Sequence, residues 1–140
     1  MMPDATPPII DVVAAIIEQE GKILLARRDA SGDQAGLWEF PGGKVEAGES
    51  QAAALVRELQ EELAIETRVE AWVATHDFQQ PERIIRLHAW RVGGFEGQIT
   101  LRCHSEIVWV TPQEAFDYSL APADIPLLEA YCSQLTARHD

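Results

Sequence analysis

From Ser50 to Leu63 the chain contains no glycine or proline and is dominated by Ala, Leu, Gln, Glu and Arg, so a long central helix is predicted there. Within it Glu58, Glu61 and Glu62 stand at i, i+3 and i+4, and at about 100° per residue they share one face. Val56, Leu59 and Leu63 fall on another arc and are expected to bury against a sheet, while Ala52 and Ala53 permit the close approach of a neighbouring segment. The carboxylates are thereby turned away from the core. Side by side they repel one another, which a fold tolerates either by facing them to water or by holding cations between them. An isolated ELQEE reads as a solvated acidic face.

The segment upstream changes that reading. Gly43-Lys44-Val45-Glu46-Ala47-Gly48-Glu49 leads into the helix, and Arg57 immediately precedes Glu58. Glu49 is placed where it can pair with Arg57, clamping loop to helix and keeping the guanidinium from neutralising the other carboxylates.

Around this helix the pattern is mostly that of strands. Ile9 to Ile17 and Lys22 to Arg28 are rich in β-branched and aliphatic residues and flank Glu18-Gln19-Glu20-Gly21, which reads as a hairpin turn. Asp29 to Gly36 is a polar loop, Leu37 to Phe40 a short strand, and Pro41-Gly42-Gly43 a break followed by a loop to Glu49. Thr67 to Phe78 and Arg83 to Val92 are two more strands joined through Gln80-Pro81-Glu82, and Glu106 to Val110 is another. Thr111-Pro112-Gln113-Glu114 has the form of a capping box, and an amphipathic helix is predicted from Ala123 to Ala137. The fold class expected is α/β, a sandwich on a mixed sheet with the central helix carrying the chemistry. At 140 residues one domain is expected over 9–140, behind a short mobile tail over 1–8.

Charge restricts the partners. A net charge of −12 opposes binding to polymeric DNA or RNA, whereas a small nucleotide is acceptable if the excess negative charge sits where divalent cations reverse the local sign. The N-terminus lacks a basic flank and an apolar stretch, and no segment approaches the roughly 20 apolar residues that span a bilayer. A cytoplasmic protein without a membrane partner is expected, monomer or homodimer. Cys103 and Cys132 are read as reduced thiols, a disulfide being the alternative.

Gly43, Glu49, then Arg57-Glu58-Leu59-Gln60-Glu61-Glu62 and Ile65, in this spacing, resemble the Nudix box. Leu37-Trp38-Glu39-Phe40-Pro41-Gly42-Gly43-Lys44 resembles the MutT-like branch, and Leu120 to Ala130 is similar to bacterial CTP pyrophosphohydrolases. The resemblance implies a Nudix-type α/β/α sandwich and metal-dependent cleavage of a nucleoside triphosphate to monophosphate and pyrophosphate. It implies that Glu58, Glu61, Glu62 and the Gly42 carbonyl hold Mg²⁺ or Mn²⁺, with Lys44 near the phosphates and Glu58 as general base. Hard divalent cations prefer such oxygen ligands and acidify bound water.

For the base end the resemblance implies Arg28, Phe40, Arg83 and Asp124. Asp124, read as an ionised acceptor for the cytosine amine, also suits a helix cap; Phe40 suits the core, and the arginines suit surface ion pairs. The alternative substrate class is oxidised purine nucleotides such as 8-oxo-dGTP. Nudix domains that only sense nucleotides or bind proteins typically lose box glutamates, and here Glu49, Glu58, Glu61 and Glu62 are all present.

Two positions depart from the pattern. Ala64 stands where the box carries glycine, so the helix is expected either to end without a left-handed cap or to continue one residue. Cys103 occupies the place of a further glutamate, and a thiol is a poor Mg²⁺ ligand. Glu106 or His104 are the candidates to replace it, unless the three helix carboxylates suffice.

Overall fold

The computed structural model describes residues 7–29 and 34–138. The expected tail, except for Pro7 and Pro8, and His139 lie outside the described residues. Strand β1 (Ile9–Gln19) and β2 (Lys22–Arg28) form the predicted hairpin, with Glu20 (φ 52°) and Gly21 (φ 79°) both in the left-handed region that matches the twist of the flanking strands. Beyond the turn the two strands part. One edge of β1 is taken by parallel β6 (Ile84–Glu96), from Ile9 opposite Ile84 to Ile17 opposite Val92. Its other edge takes β4 (Gly42–Lys44), antiparallel, with Ala14 opposite Gly42. Covered on both faces, β1 buries Val13 to Ile17 without alternation.

The remaining strands complete a mixed sheet of seven. β5 (Glu66–Gln79) pairs antiparallel with β6, while β3 (Trp38–Glu39) and β7 (His104–Val110) lie on either side of β2. The sequence predicts β1, β2, β3, β5, β6 and β7 but reads Pro41 to Glu49 as loop, missing β4. Two glycines disguised it. A Cβ on Gly42 would lie 1.8 Å from the carbonyl oxygen of Val13, so only glycine lets this segment approach β1 closely enough to pair.

Helix α1 (Gln51–Leu63) covers one face of the sheet and α3 (Ile125–Arg138) the other, with the one-turn α2 (Pro112–Ala115) leading from β7. Ser50 caps α1 by accepting from the Ala53 N–H, and the Thr111/Glu114 capping box forms as predicted. Leu55, Leu59 and Leu63 pack on Val13, Ala15, Ile17, Leu24 and Val92, each burial worth about 1.5–3 kcal/mol. Val56, expected on this arc, is 38% exposed, and Ala53 is also exposed. The inward row is 55/59/63, an i, i+4 ridge, with Ala54 beside it. On the opposite face Leu127, Leu128 and Tyr131 pack on Ala14, Ile16, Leu25 and Leu87.

Ala64 follows neither course expected of it. It adopts the left-handed cap itself (φ 61°, ψ 34°), its N–H donating to the Gln60 carbonyl, at a steric cost of about 1 kcal/mol relative to glycine. Ile65 follows, buried, and β5 begins at Glu66.

The short β3 anchors a distant part of the chain. The Trp38 N–H donates to the Ser119 carbonyl and the Ala121 N–H to that of Trp38, both at 2.8 Å, and the Trp38 ring meets Tyr118 edge-on at 5.2 Å. This lays the 3-10 turn Pro122–Asp124 beside Phe40.

Candidate active site

Of the α1 carboxylates, Glu58 and Glu62 face the β4 segment, while the Glu61 side chain is exposed. A Cβ on Gly43 would lie 2.3 Å from the Glu58 carboxyl, so this second glycine makes the cradle in which that side chain rests. The Gly42 N–H donates to Glu62, whose Oε1 is buried without a hydrogen-bond partner. Burial pushes the Glu62 carboxyl up to about 7; His104 and the Gly42 N–H oppose that rise, and the charges of Glu58 and Glu39 add to it.

The predicted clamp forms, with wider reach than expected. Arg57 donates from Nε and Nη2 to the two oxygens of Glu49 (2.8 and 2.9 Å), from Nη2 to the Lys44 carbonyl (3.1 Å), and from Nη1 to Glu58 (2.8 Å) and Glu61 (3.5 Å). The sequence reading had Glu49 keep Arg57 away from the other carboxylates. Instead one planar cation spans both sets, because its fork can serve Glu49 with one edge while Nη1 remains available on the other. Arg57 and the Glu46 N–H hold Glu49 ionised down to about 2.

Divalent cations fit this end. It offers hard oxygen donors, one of them buried and unpartnered at Glu62, with a desolvated carboxyl that a cation would relieve. Among the described residues no three such side chains converge on one point as arranged, consistent with Arg57 engaging Glu58 and Glu61.

From Gly42, Gly43 and Lys44 a cleft of about 380 Å³ runs past Val12 to Ala14 to Arg28, Glu39, Phe40, Phe78, Arg83 and Asp124. It brings Gly42 and Lys44 together with all four residues implied for the base end. A larger cavity of about 810 Å³ opens among Glu18, Lys22, Gly94 and Tyr131, away from every carboxylate of α1. The chemistry selects the smaller cleft.

At the base end the side chains are largely committed to one another. Arg28 donates to Glu39 Oε1 at 2.7 Å and Arg83 to Gln80 at 2.7 Å. Phe40 is 3% exposed and packs in the α3-side core. Its backbone N–H donates to Asp124. Asp124 is 5% exposed, and burial, reinforced by the charge of Glu39, raises its carboxyl to about 8 against the opposing Phe40 N–H and Arg28. A carboxyl raised in this way favours the protonated form, which can donate as well as accept; the sequence reads it as an ionised acceptor.

The segment before Trp109 resolves into three roles. Cys103 is exposed, and burial together with Glu62 and Glu58 raises its thiol; like Cys132 it is a free thiol, as expected. Glu106 pairs with Arg27 at 3.1 Å on an exposed surface and does not join the α1 carboxylates. His104 is 9% exposed and bonds Glu39 Oε2 through Nε2 at 2.9 Å. Glu39 is the residue that motif reading passed over. It sits in an otherwise apolar Leu-Trp-Glu-Phe run, and a lone acid entering a short strand is the signal that marks it.

The NUDIX domain family matches residues 12–130. The chain is 59% identical over 130 residues to the CTP pyrophosphohydrolase of Escherichia coli, covering 93% of this chain and 96% of the relative. It is 39% identical over 115 residues to an 8-oxo-dGTP diphosphatase of Haemophilus influenzae, covering 81% and 84%. The solution structure of the E. coli ORF135 protein superposes with a TM-score of 0.89 at 57% identity, covering 98% of both chains.

Proposed function

The chain belongs to the Nudix family, and from that premise we propose that it hydrolyses CTP, dCTP or modified pyrimidine nucleoside triphosphates to the monophosphate and pyrophosphate. It is a Nudix hydrolase, and such enzymes use divalent metal. The observation that carries the substrate reading is the single cleft joining the β4 glycines and Lys44, beside the α1 carboxylates, to Asp124 at the other end. The similarity to a CTP pyrophosphohydrolase supports the same reading.

Glu58, Glu61, Glu62 and the Gly42 carbonyl would hold Mg²⁺ or Mn²⁺. Cations bound there would neutralise phosphate oxygens and acidify the attacking water. Arg57, fixed by Glu49, donates to Glu58 and orients it as the proton acceptor. Lys44, exposed beside the glycines, attracts the phosphates. Arg28, Arg83 and Phe40 shape the nucleoside end. Protonated Asp124 can donate to cytosine N3 while accepting from its amine, a matched pair of hydrogen bonds.

A neutral acid can also match the reversed pattern of other bases, which favours a second reading, oxidised purine nucleotides, alongside the similarity to an 8-oxo-dGTP diphosphatase. A screen of nucleoside triphosphates with Mg²⁺ and with Mn²⁺, scored for pyrophosphate release, separates the two. CTP and dCTP are expected to lead. Turnover confined to 8-oxo-dGTP would reverse the assignment, and no pyrophosphate from any triphosphate would defeat it.

A further inference from the structure

We infer that His104 is a positioning residue for the nucleoside end of the cleft, fixing the carboxylate of Glu39 from behind and through it the binding of substrate. The inference rests on reading the cleft as the nucleotide site. His104 bonds Glu39 through Nε2, while its Nδ1 is buried without a hydrogen-bond partner.

In a regular strand His104 and Glu106, two residues apart, would point to the same face. Here they do not: the Glu106 side chain is 54% exposed and that of His104 3%. The cause is a bulge. Against β2, Arg27 lies opposite Glu106 but Arg28 lies opposite His104, leaving Ser105 as the extra residue. Bulges re-aim side chains in this way, and this one turns the imidazole inward while Glu106 stays with Arg27 at the surface.

The inward imidazole meets Glu39. Glu39 belongs to a strand of only two residues, too short for its backbone alone to fix a charged side chain. Its carboxylate is instead held at both oxygens, Oε1 by Arg28 and Oε2 by His104. Arg28 and Glu39 line the cleft, whereas His104 does not, so the histidine supports the wall without forming it. The Glu39 charge also reaches Asp124, at the nucleoside end of the cleft. Glu39 lines the cleft beside Arg28, Phe40 and Asp124, so a carboxylate that swung free would disturb the nucleoside end first.

The test is a double-mutant cycle on the full chain with CTP and Mg²⁺, using His104→Ala, Glu39→Gln and the double variant, with His104→Gln as the conservative replacement. The expected result for His104→Ala is a KM raised roughly tenfold, equivalent to about 1.4 kcal/mol, with kcat and the Mg²⁺ half-saturation little changed. The double variant should be no worse than Glu39→Gln alone, and His104→Gln, whose amide can still donate to Glu39, should recover most of the loss. A fall in kcat accompanied by weaker Mg²⁺ binding would make His104 a metal ligand and overturn the inference. So would additive effects in the cycle, or a glutamine variant no better than alanine. If His104→Ala fails to fold, the comparison of His104→Gln with His104→Asn, whose shorter amide cannot reach, decides the matter. Wild-type protein inactive on every triphosphate would instead defeat the reading of the cleft, a separate failure visible before any variant is made.

Discussion

At the α1 end of the cleft Glu58 and Glu61 lie within reach of Arg57 on the side of a helix, whereas at the other end Asp124 is 5% exposed and meets a backbone N–H. Both ends are built from carboxyl groups, and their states differ because their surroundings do. At the helix a guanidinium bridges the carboxylates; at Asp124, burial beside another carboxylate favours the proton. One end can therefore collect cations while the other donates and accepts hydrogen bonds. Glu62 stands between these regimes, desolvated like Asp124 but on the helix face of Glu58.

The largest expected effect tests the charged end. Glu61→Gln should lower kcat/KM by roughly a hundredfold or more, since a metal ligand contributes several kcal/mol to the transition state, while the metal-free fold is unchanged or slightly stabilised as repulsion falls. Turnover within a few-fold of wild type at saturating Mg²⁺ would remove this end from the chemistry.

Glu49→Gln sharpens the role assigned to the clamp. With the two-oxygen pairing to Glu49 lost, Arg57 should move further onto Glu58 and Glu61 and compete with cations, weakening Mg²⁺ binding by roughly 10- to 100-fold. Isothermal titration of metal into the nucleotide-free protein reads this directly. Unchanged affinity would mean that the ion pair only ties the loop to the helix.

The neutral end is tested through pH. The Asp124 carboxyl is raised in the folded protein, so its contribution to stability is complete below the unfolded value near 4 and is lost as pH rises through about 8. Wild-type unfolding free energy should fall between pH 7 and 9 by more than that of Asp124→Asn, a difference of about 1 kcal/mol. The amide mimics the protonated acid, so the variant should retain CTP hydrolysis at pH 7 and lose up to about tenfold less than wild type at pH 9. If asparagine instead abolishes preference for CTP over UTP at pH 7, Asp124 works as an ionised acceptor and the two ends are alike.

The smallest effect concerns the departure at Cys103. With an exposed thiol and no place in the cleft lining, Cys103→Ala should leave kcat/KM within roughly twofold, below the energy of a typical hydrogen bond. A loss rivalling that of Glu61→Gln would bring the loop into the metal end.

Much of the α1 end was legible because its information is local. Residues three and four apart on a helix must share a face, and Ser50, Glu49 and Arg57 lie within one loop and two turns of the carboxylates. The strands β1, β2, β5 and β6 were legible for the same reason, their composition and turns being local. Only folding decided which faces of each element were buried, so Val56 went outward although its residue type favoured burial. Only folding paired β4 with β1, because a glycine pair gives no apolar signal and its strand state comes from the neighbour it touches. The nucleoside end was assembled from residues near 28, 39, 83, 104 and 124, and no spacing in the chain encodes that meeting. Its chemistry followed from the same meeting. The sequence determined that position 124 is an aspartate, but its proton is set by desolvation and by Glu39, brought close through Trp38 and the 119–121 backbone. Electrostatic free energy depends on distance and surroundings in space, and for residues far apart in the chain those exist only once it has folded.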